Sequence, residues 1–258
     1  MSVQISARSS YIIKYPYFMA KKKKIEEQSI PELMVDKNPI TLNPLKCRNA
    51  KQKQFLGQIR NHDITICDGI AGSGKTYITL YEGILGVLNK RFDKVILCKS
   101  VISTPNESIG FIPGTVEEKM EPHIISYKGN MKKMLNNEAN VERLFREKKV
   151  EVLPLAYIRG VTLDRSFIII DESQNITMDL FKSIITRIGE DSKMIFLGDI
   201  EQVDFNQDKL KRQSALQHII ELFKDEDYIG YCHFNDDEVV RNPIIPKIIQ
   251  KLRDYKPA

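Results

Sequence analysis

The run Gly69-Ile-Ala-Gly72-Ser-Gly74-Lys75-Thr76 has the residue types and the spacing to bind phosphate. It matches G-x-x-x-x-G-K-[ST], the Walker A motif or P-loop, whose backbone N–H groups and following helix N-terminus attract phosphate. Lys75 would reach the β- and γ-phosphates, and the Thr76 hydroxyl would bind Mg²⁺. A chance glycine-rich turn is disfavoured because an apolar run precedes the motif and a helical pattern follows it. The predicted nucleotide-binding residues are Gly69, Ile70, Ala71, Gly72, Ser73, Gly74, Lys75, Thr76 and Tyr77.

Two adjacent carboxylates, Asp171 and Glu172, follow the apolar run Phe167-Ile-Ile-Ile170. Ligands of a parallel sheet bind at the carboxyl ends of its strands, so this pair should emerge beside the P-loop. We predict that Asp171 holds Mg²⁺ and that Glu172 polarises the water that attacks the γ-phosphate. Alone, such a pair is typical of a solvated turn; together with a P-loop it indicates a Walker B motif.

A third apolar run, Met194-Ile-Phe-Leu197, leads into a loop that contains Gln202. Its amide is suited to hydrogen-bond the γ-phosphate or the attacking water. A plain exit from a strand into a loop explains the same residues equally well.

Six short apolar runs alternate with amphipathic patterns from residue 63 onward. Near-continuous apolar strands separated by helices predict an α/β fold, a mostly parallel sheet with helices on both faces. The predicted strands are 63–67, 95–98, 150–153, 167–170, 194–197 and 228–232. The predicted helices are 49–61, 75–90, 177–189, 209–224 and 244–254.

Composition limits the classes of protein. The chain has 258 residues, 42% of them hydrophobic and 28% charged, which is typical of a globular domain that needs no disulfide. The four cysteines have no zinc-site spacing, and no apolar run approaches the roughly 18 residues that span a bilayer. We therefore expect a cytoplasmic protein with reduced thiols and no membrane partner.

The net charge of +5 comes from an N-terminal arm. Residues 1–24 hold six basic and no acidic residues, so the other 33 basic and 34 acidic residues sum to −1. The arm interleaves aromatic residues with lysine, a pattern that binds nucleic acid, although a solvated terminus is the favoured interpretation. Residues 128–149 carry a local charge of +4, which suits single-stranded nucleic acid or an ordinary solvated helix.

Taken in order, the motifs resemble those of the PhoH family of P-loop ATPases, whose RecA-like core is similar to the motor of superfamily 1 helicases. The resemblance starts near residue 48 and ends near residue 250. It implies an Mg²⁺-dependent ATPase with one RecA-like core in residues 48–258, preceded by a basic, proline-containing segment in residues 1–47. Besides the runs above, it includes Arg48-Asn-Ala-Lys-Gln52, Gly110-Phe-Ile-Pro-Gly114, Leu155-Ala-Tyr-Ile-Arg159-Gly160, Ser173-Gln174-Asn175 and Val239-Val-Arg241-Asn-Pro243.

The resemblance also implies roles for three residues. Gln52 would read adenine, Gln174 would couple the metal site to nucleic acid or to a neighbouring subunit, and Arg241 would neutralise charge on the γ-phosphate in the transition state. Without the resemblance, Gln52 is an exposed polar residue and Arg241 a surface charge. Arg159 is a further candidate for contact with nucleic acid.

Two features depart from the family pattern. Bacterial members carry an Arg-Pro pair after the second strand, where this chain has Lys99-Ser100, so the role of that arginine is open. From the length we expect no nuclease-like PIN domain of the kind that is fused to some relatives, and this compact form resembles versions encoded by bacteriophages.

A single core raises the question of where the arginine acts. Superfamily 1 helicases hold nucleotide between two cores, so Arg241 would act in cis or across the interface of a hexameric ring. We predict ATP hydrolysis coupled to RNA or single-stranded DNA. An ATP-dependent switch or scaffold acting on protein partners is the first alternative. A small-molecule kinase is the second alternative. The Asp171-Glu172 pair disfavours a kinase, because these carboxylates suit water as the acceptor of the phosphoryl group.

Overall fold

The computed structural model of the protein describes residues 38–99, 116–200, 202, 214–240 and 244–253. A compact unit begins at Pro39. Its strands are β1 (Ile64–Gly69), β2 (Lys94–Lys99), β3 (Val150–Val152), β4 (Ser166–Asp171), β5 (Lys193–Leu197) and β6 (Gly230–Phe234). Its helices are α1 (Ala50–Asn61), α2 (Lys75–Leu88), α3 (Val116–Leu135), α4 (Glu138–Arg146), α5 (Met178–Ile185), α6 (Leu216–Phe223) and α7 (Ile244–Arg253). Among these residues, no helix is both long enough and apolar enough to cross a bilayer.

The strands pair in parallel in the order β3-β2-β4-β5-β1-β6. The inner strands are buried along almost their whole length, because helices cover both faces of the sheet, and this explains their near-continuous apolar sequences. The predicted α/β fold is confirmed. Since β1, β5 and β4 are neighbours, the loops that follow them meet at one edge of the sheet.

The sheet separates two hydrophobic clusters. Successive residues of a strand point to opposite faces, so Ile169 packs with α1 to α4 while Ile168 and Ile170 pack with α5 and α6. Both clusters are closely packed by aromatic rings, including Phe55 of α1 and Phe181 of α5. The strands that end at the carboxyl edge of the sheet are therefore packed by a hydrophobic cluster on each face.

Helix α3 begins where the sequence patterns predicted no element, and α4 lies within residues 128–149, for which a solvated helix was one interpretation. On the 20-residue helix α3, the residues described as buried are Tyr127, Met131, Met134 and Leu135, which form a narrow stripe among charged neighbours, so the apolar signal is weak. Strand β6 begins at residue 230 rather than at 228, and Tyr228 is 61% exposed.

The segment before α1 packs against the domain. Ile40, Leu42 and Leu45 lie against the first cluster, and the Asn43 N–H donates to the Met134 carbonyl oxygen at 2.8 Å. The domain boundary at residue 47 stays a prediction, and the structure shows that these residues before it contribute to the core.

Candidate functional site

The three predicted motifs converge at the carboxyl ends of β1, β5 and β4. Since these strands lie side by side, the loops that follow them line one cleft of about 890 Å³. This is the edge at which open parallel sheets bind ligands. The cleft is lined by residues 71–77 of the P-loop, by Asp171 and Glu172, and by Gly198, Asp199 and Gln202.

The P-loop has the curled backbone that its glycines permit. Gly69, Gly72 and Gly74 have φ angles of 123°, 88° and 94°, which side-chain-bearing residues rarely adopt. The loop also approaches β6 closely, because a Cβ at Gly69 would collide with the Phe234 carbonyl oxygen. The Ile70 N–H donates to that same oxygen at 3.4 Å, and the Ile70 side chain is buried.

Lys75 and Thr76 stand at the start of α2, as the motif predicts. The Lys75 ammonium donates to the carbonyl oxygen of Gly69 and, at 2.9 Å, to that of Ile70. A phosphate bound in the loop would replace one of these carbonyl oxygens as the acceptor of an N–H of Lys75. Thr76 and Tyr77 are half-buried and line the cleft, where the N-terminus of α2 adds partial positive charge.

Asp171 is held by two donors at the end of β4. Its Oδ2 accepts from the Tyr127 hydroxyl at 2.8 Å, and its Oδ1 accepts from the Glu172 N–H at 3.0 Å. Burial, and then the neighbouring Glu172 carboxylate, raise the pKa of Asp171, while these two hydrogen bonds oppose the rise. Each carboxylate oxygen keeps a second lone pair for a cation or a water.

Glu172 is fixed by its backbone and by two side chains. Its φ of 55° lies in the left-handed region, which costs a non-glycine residue roughly 1–3 kcal/mol. Its Oε2 accepts from Gln174 Nε2 at 2.8 Å, and Lys99 Nζ lies 3.6 Å from its Oε1. The buried Gln174 also accepts, through Oε1, from the Asp199 N–H at 3.1 Å. One amide therefore joins the carboxylate after β4 to the loop after β5.

Gln202 lines the same cleft with an exposed side chain. Its N–H donates to the Asp199 carbonyl oxygen at 3.0 Å, so the loop after β5 turns back at the cleft wall. Its contact with a γ-phosphate stays a prediction.

Gln52 lies beside the P-loop, 4% exposed, with its amide already engaged. Its Nε2 donates to the Ser73 carbonyl oxygen and its Oε1 accepts from the Arg48 N–H, both at 2.8 Å. A Cβ at Gly74 would come within 2.9 Å of this Nε2. The amide ties α1 to the P-loop and keeps one N–H and one lone pair for other partners, and its reading of adenine stays a prediction.

Arg241 lies outside the described residues. Its neighbour Val240 donates its N–H to the Gly72 carbonyl oxygen at 3.1 Å and accepts from Arg48 Nη1 at 2.9 Å. The chain thus reaches the P-loop one residue before Arg241, whose own role stays a prediction.

Among the described residues that line the cleft, cationic side chains outnumber acidic ones. The five cations are Lys46, Arg48, Lys75, Lys99 and Lys133, and the three acids are Asp171, Glu172 and Asp199. The balance of charge favours a polyanion such as a nucleoside triphosphate. Lys46 and Arg48 gave no phosphate-binding signal in the sequence, because only the fold brings their segment to the P-loop.

The basic stretch of residues 128–149 is partly neutralised within the domain. Its ion pairs are Lys128–Glu142 at 3.0 Å, Lys132–Glu138 at 2.7 Å and Arg143–Glu147 at 2.6 Å. These pairs weaken its potential as a phosphate-binding surface. Arg159, the other candidate for contact with nucleic acid, is exposed and therefore accessible. The nearby Tyr157 side chain is 58% exposed.

Polar contacts at two aspartates near the P-loop carried no sequence signal. One is Asp171, which accepts from the Tyr127 hydroxyl. The other is Asp68, buried just before the P-loop, which accepts from the Tyr231 hydroxyl at 3.1 Å and lies 2.9 Å from His233 Nδ1. Each contact joins elements far apart in the chain, so residue spacing does not reveal it.

A parallel sheet with a P-loop after β1 and an acidic pair at the end of β4 defines the α/β fold of the P-loop NTPases, with a RecA-like core. Residues 44–253 match the family described as PhoH-like protein, and the chain belongs to this family. The family resemblance drawn from the motifs is confirmed.

Two bacterial proteins illustrate the similarity. The PhoH-like protein of Synechocystis sp. is 34% identical over 206 residues, which cover 80% of this chain and 61% of the relative. The PhoH-like protein of Bacillus subtilis is 32% identical over 249 residues, 96% of this chain and 75% of the relative. Similarity to the large terminase of a thermophilic bacteriophage is weak, with a TM-score of 0.49 and 13% identity over 84% of this chain and 52% of that chain.

Proposed function

We propose that this protein binds ATP with Mg²⁺ and hydrolyses it, and that hydrolysis is coupled to single-stranded RNA or DNA in a hexameric ring. The observation that carries the proposal is the convergence of the P-loop, the Asp171-Glu172 pair and Gln202 on one cleft, whose described lining residues include more cations than acids.

The residues divide the reaction between them. P-loop N–H groups and Lys75 bind the β- and γ-phosphates. Glu172, held by Gln174, orients the attacking water and accepts its proton. Gln202 contacts the γ-phosphate, and Arg241 neutralises charge that develops in the transition state.

The residues present fit Mg²⁺. Thr76, Asp171 and Glu172 offer hard oxygen atoms in one cleft, and the described residues contain no cluster of three or more His, Cys, Asp or Glu side chains. Mg²⁺ in nucleotide sites takes one or two carboxylates together with phosphates and waters. Thr76 and Asp171 would hold the ion, which neutralises phosphoryl charge when bound.

The test is the ATPase rate with and without single-stranded RNA or DNA, at about 50 mM and about 200 mM salt. We expect stimulation that declines at the higher salt, because phosphate contacts release counterions. Lys75→Ala is the control and should abolish the rate. A rate that survives Lys75→Ala would contradict the site.

The second candidate is an ATP-dependent switch that acts on a protein partner. The internal ion pairs of residues 128–149 favour it, because they leave fewer cations for nucleic acid. An ATPase rate that nucleic acid does not change, and that Lys75→Ala abolishes, would place this candidate first.

A further inference from the structure

A tyrosine from α3 reaches the carboxylate at the end of β4. Tyr127 is 1% exposed, and its hydroxyl donates to Asp171 Oδ2 at 2.8 Å. A buried phenol requires a hydrogen-bond partner. Here the partner is a carboxylate that lines the nucleotide cleft, although Tyr127 belongs to none of the motifs of the P-loop site.

The phenol is held firmly by its own helix. Met131 and Met134 follow Tyr127 on the buried stripe of α3 and are 0% exposed. Asn130 and Lys133, on the neighbouring face of the helix, line the cleft. Since α3 packs on the core and also forms a wall of the cleft, the position of the hydroxyl is set by the domain as a whole.

The two hydrogen bonds of Asp171 define the orientation of its carboxylate. The terminal torsion of a carboxylate is broad and weakly restrained by itself. With the Glu172 N–H on Oδ1 and the Tyr127 hydroxyl on Oδ2, both oxygen atoms are positioned. Removing the hydroxyl frees Oδ2 and leaves Asp171, among the described residues, with the adjacent backbone N–H as its donor.

We propose that Tyr127 is a positioning residue, which holds the Asp171 carboxylate in the orientation that binds a divalent cation with the nucleotide. This inference rests on the proposed function, because it requires Asp171 to act at the metal. Tyr127 acts through Asp171 and needs no contact with nucleotide or metal.

The test is metal binding by Tyr127→Phe, which removes the hydroxyl and keeps the ring. Binding of Mn²⁺ in the presence of ADP, followed by the electron paramagnetic resonance signal of free Mn²⁺, should weaken about 10- to 100-fold, as for other groups that orient a metal ligand. Binding of ADP in EDTA should not change. Tyr231→Phe is the matched control, because it removes a phenol that donates to another carboxylate, Asp68, at 3.1 Å; its Mn²⁺ affinity should equal that of the unmodified protein.

A second variant separates this inference from the proposed function. If Tyr127 acts through Asp171, adding Tyr127→Phe to Asp171→Asn should weaken Mn²⁺ binding no further. Unchanged affinity in Tyr127→Phe, equal losses in both tyrosine variants, or additive losses in the double variant would each overturn the inference. If Asp171→Asn loses Mn²⁺ while Tyr127→Phe does not, the proposed function survives alone. If the unmodified protein with ADP binds no Mn²⁺, both are overturned.

Discussion

Gln174 connects two parts of the cleft through the two ends of one amide, at 2.8 Å to Glu172 and 3.1 Å to the Asp199 N–H. Gln174→Ala should lower the kcat for ATP about 10- to 100-fold with little change in KM, because a mobile carboxylate loses part of the benefit of a positioned base. Steady-state kinetics measure this. Gln217→Ala, an exposed glutamine on α6, is the control, and a raised KM with normal kcat would contradict the assignment.

Tyr127 also predicts how stability depends on pH. Burial, and then the Asp171 charge, raise the pKa of Tyr127 well above its ordinary value of 10.0. The folded state therefore binds more protons between the two pKa values, and the free energy of unfolding falls as pH rises above 10, by up to about 1.4 kcal/mol per pH unit for this group. Urea unfolding between about pH 9 and 11 should show a shallower fall for Tyr127→Phe. The exposed Tyr157→Phe should follow the unmodified protein, and an equal slope in all three would refute the assignment.

At the scale of elements, the strand pattern and the P-loop motif predict most of the strands and loops that form the carboxyl edge of the sheet. They do so because short apolar strands and glycine spacing are local signals. Lys75, Asp171 and Gln202 meet in one cleft as expected. Helix α3 was missed because its apolar stripe is narrow. The contact of Tyr127 with Asp171 crosses 44 residues of sequence, and the bond from Gln52 to Ser73 depends on how α1 docks, so neither has a local signature.

Two helix glycines test how α1 and α2 pack. A Cβ at Gly57 of α1 meets nothing within 4 Å, whereas a Cβ at Gly83 of α2 would lie 2.7 Å from Phe167 Cδ1 and 3.0 Å from Val95 Cγ2. Gly57→Ala should raise the free energy of unfolding by about 0.5–1 kcal/mol by lowering the entropy of the unfolded chain. Gly83→Ala should lower it by about 1–3 kcal/mol through overpacking against the sheet. Denaturant titration of both variants measures this, and the same sign for both would contradict the packing.

At the scale of the whole molecule, the cleft of the described core is lined by Lys75, Thr76, Asp171, Glu172 and Gln202, whereas Arg241 lies outside the described residues. The adjacent Val240 is hydrogen-bonded to Gly72 of the same chain. This contact brings the chain to its own P-loop, which fits an arginine that acts in cis. The proposed ring fits an arginine supplied by a neighbouring subunit, since head-to-tail contacts repeat the same pair of surfaces. Removing a transition-state arginine should cost at least about 10³-fold in either case, so the single variant Arg241→Ala cannot separate the two.

Mixing two inactive variants can separate them. Lys75→Ala keeps Arg241, and Arg241→Ala keeps an intact P-loop. If the arginine acts across an interface, an equal mixture should regain activity, because about a quarter of the interfaces in a randomly mixed ring combine both intact parts. If it acts in cis, the mixture stays inactive while the unmodified protein works. Analytical ultracentrifugation with ATP gives the state of assembly, and a monomer that hydrolyses ATP at full rate at every concentration would refute the ring.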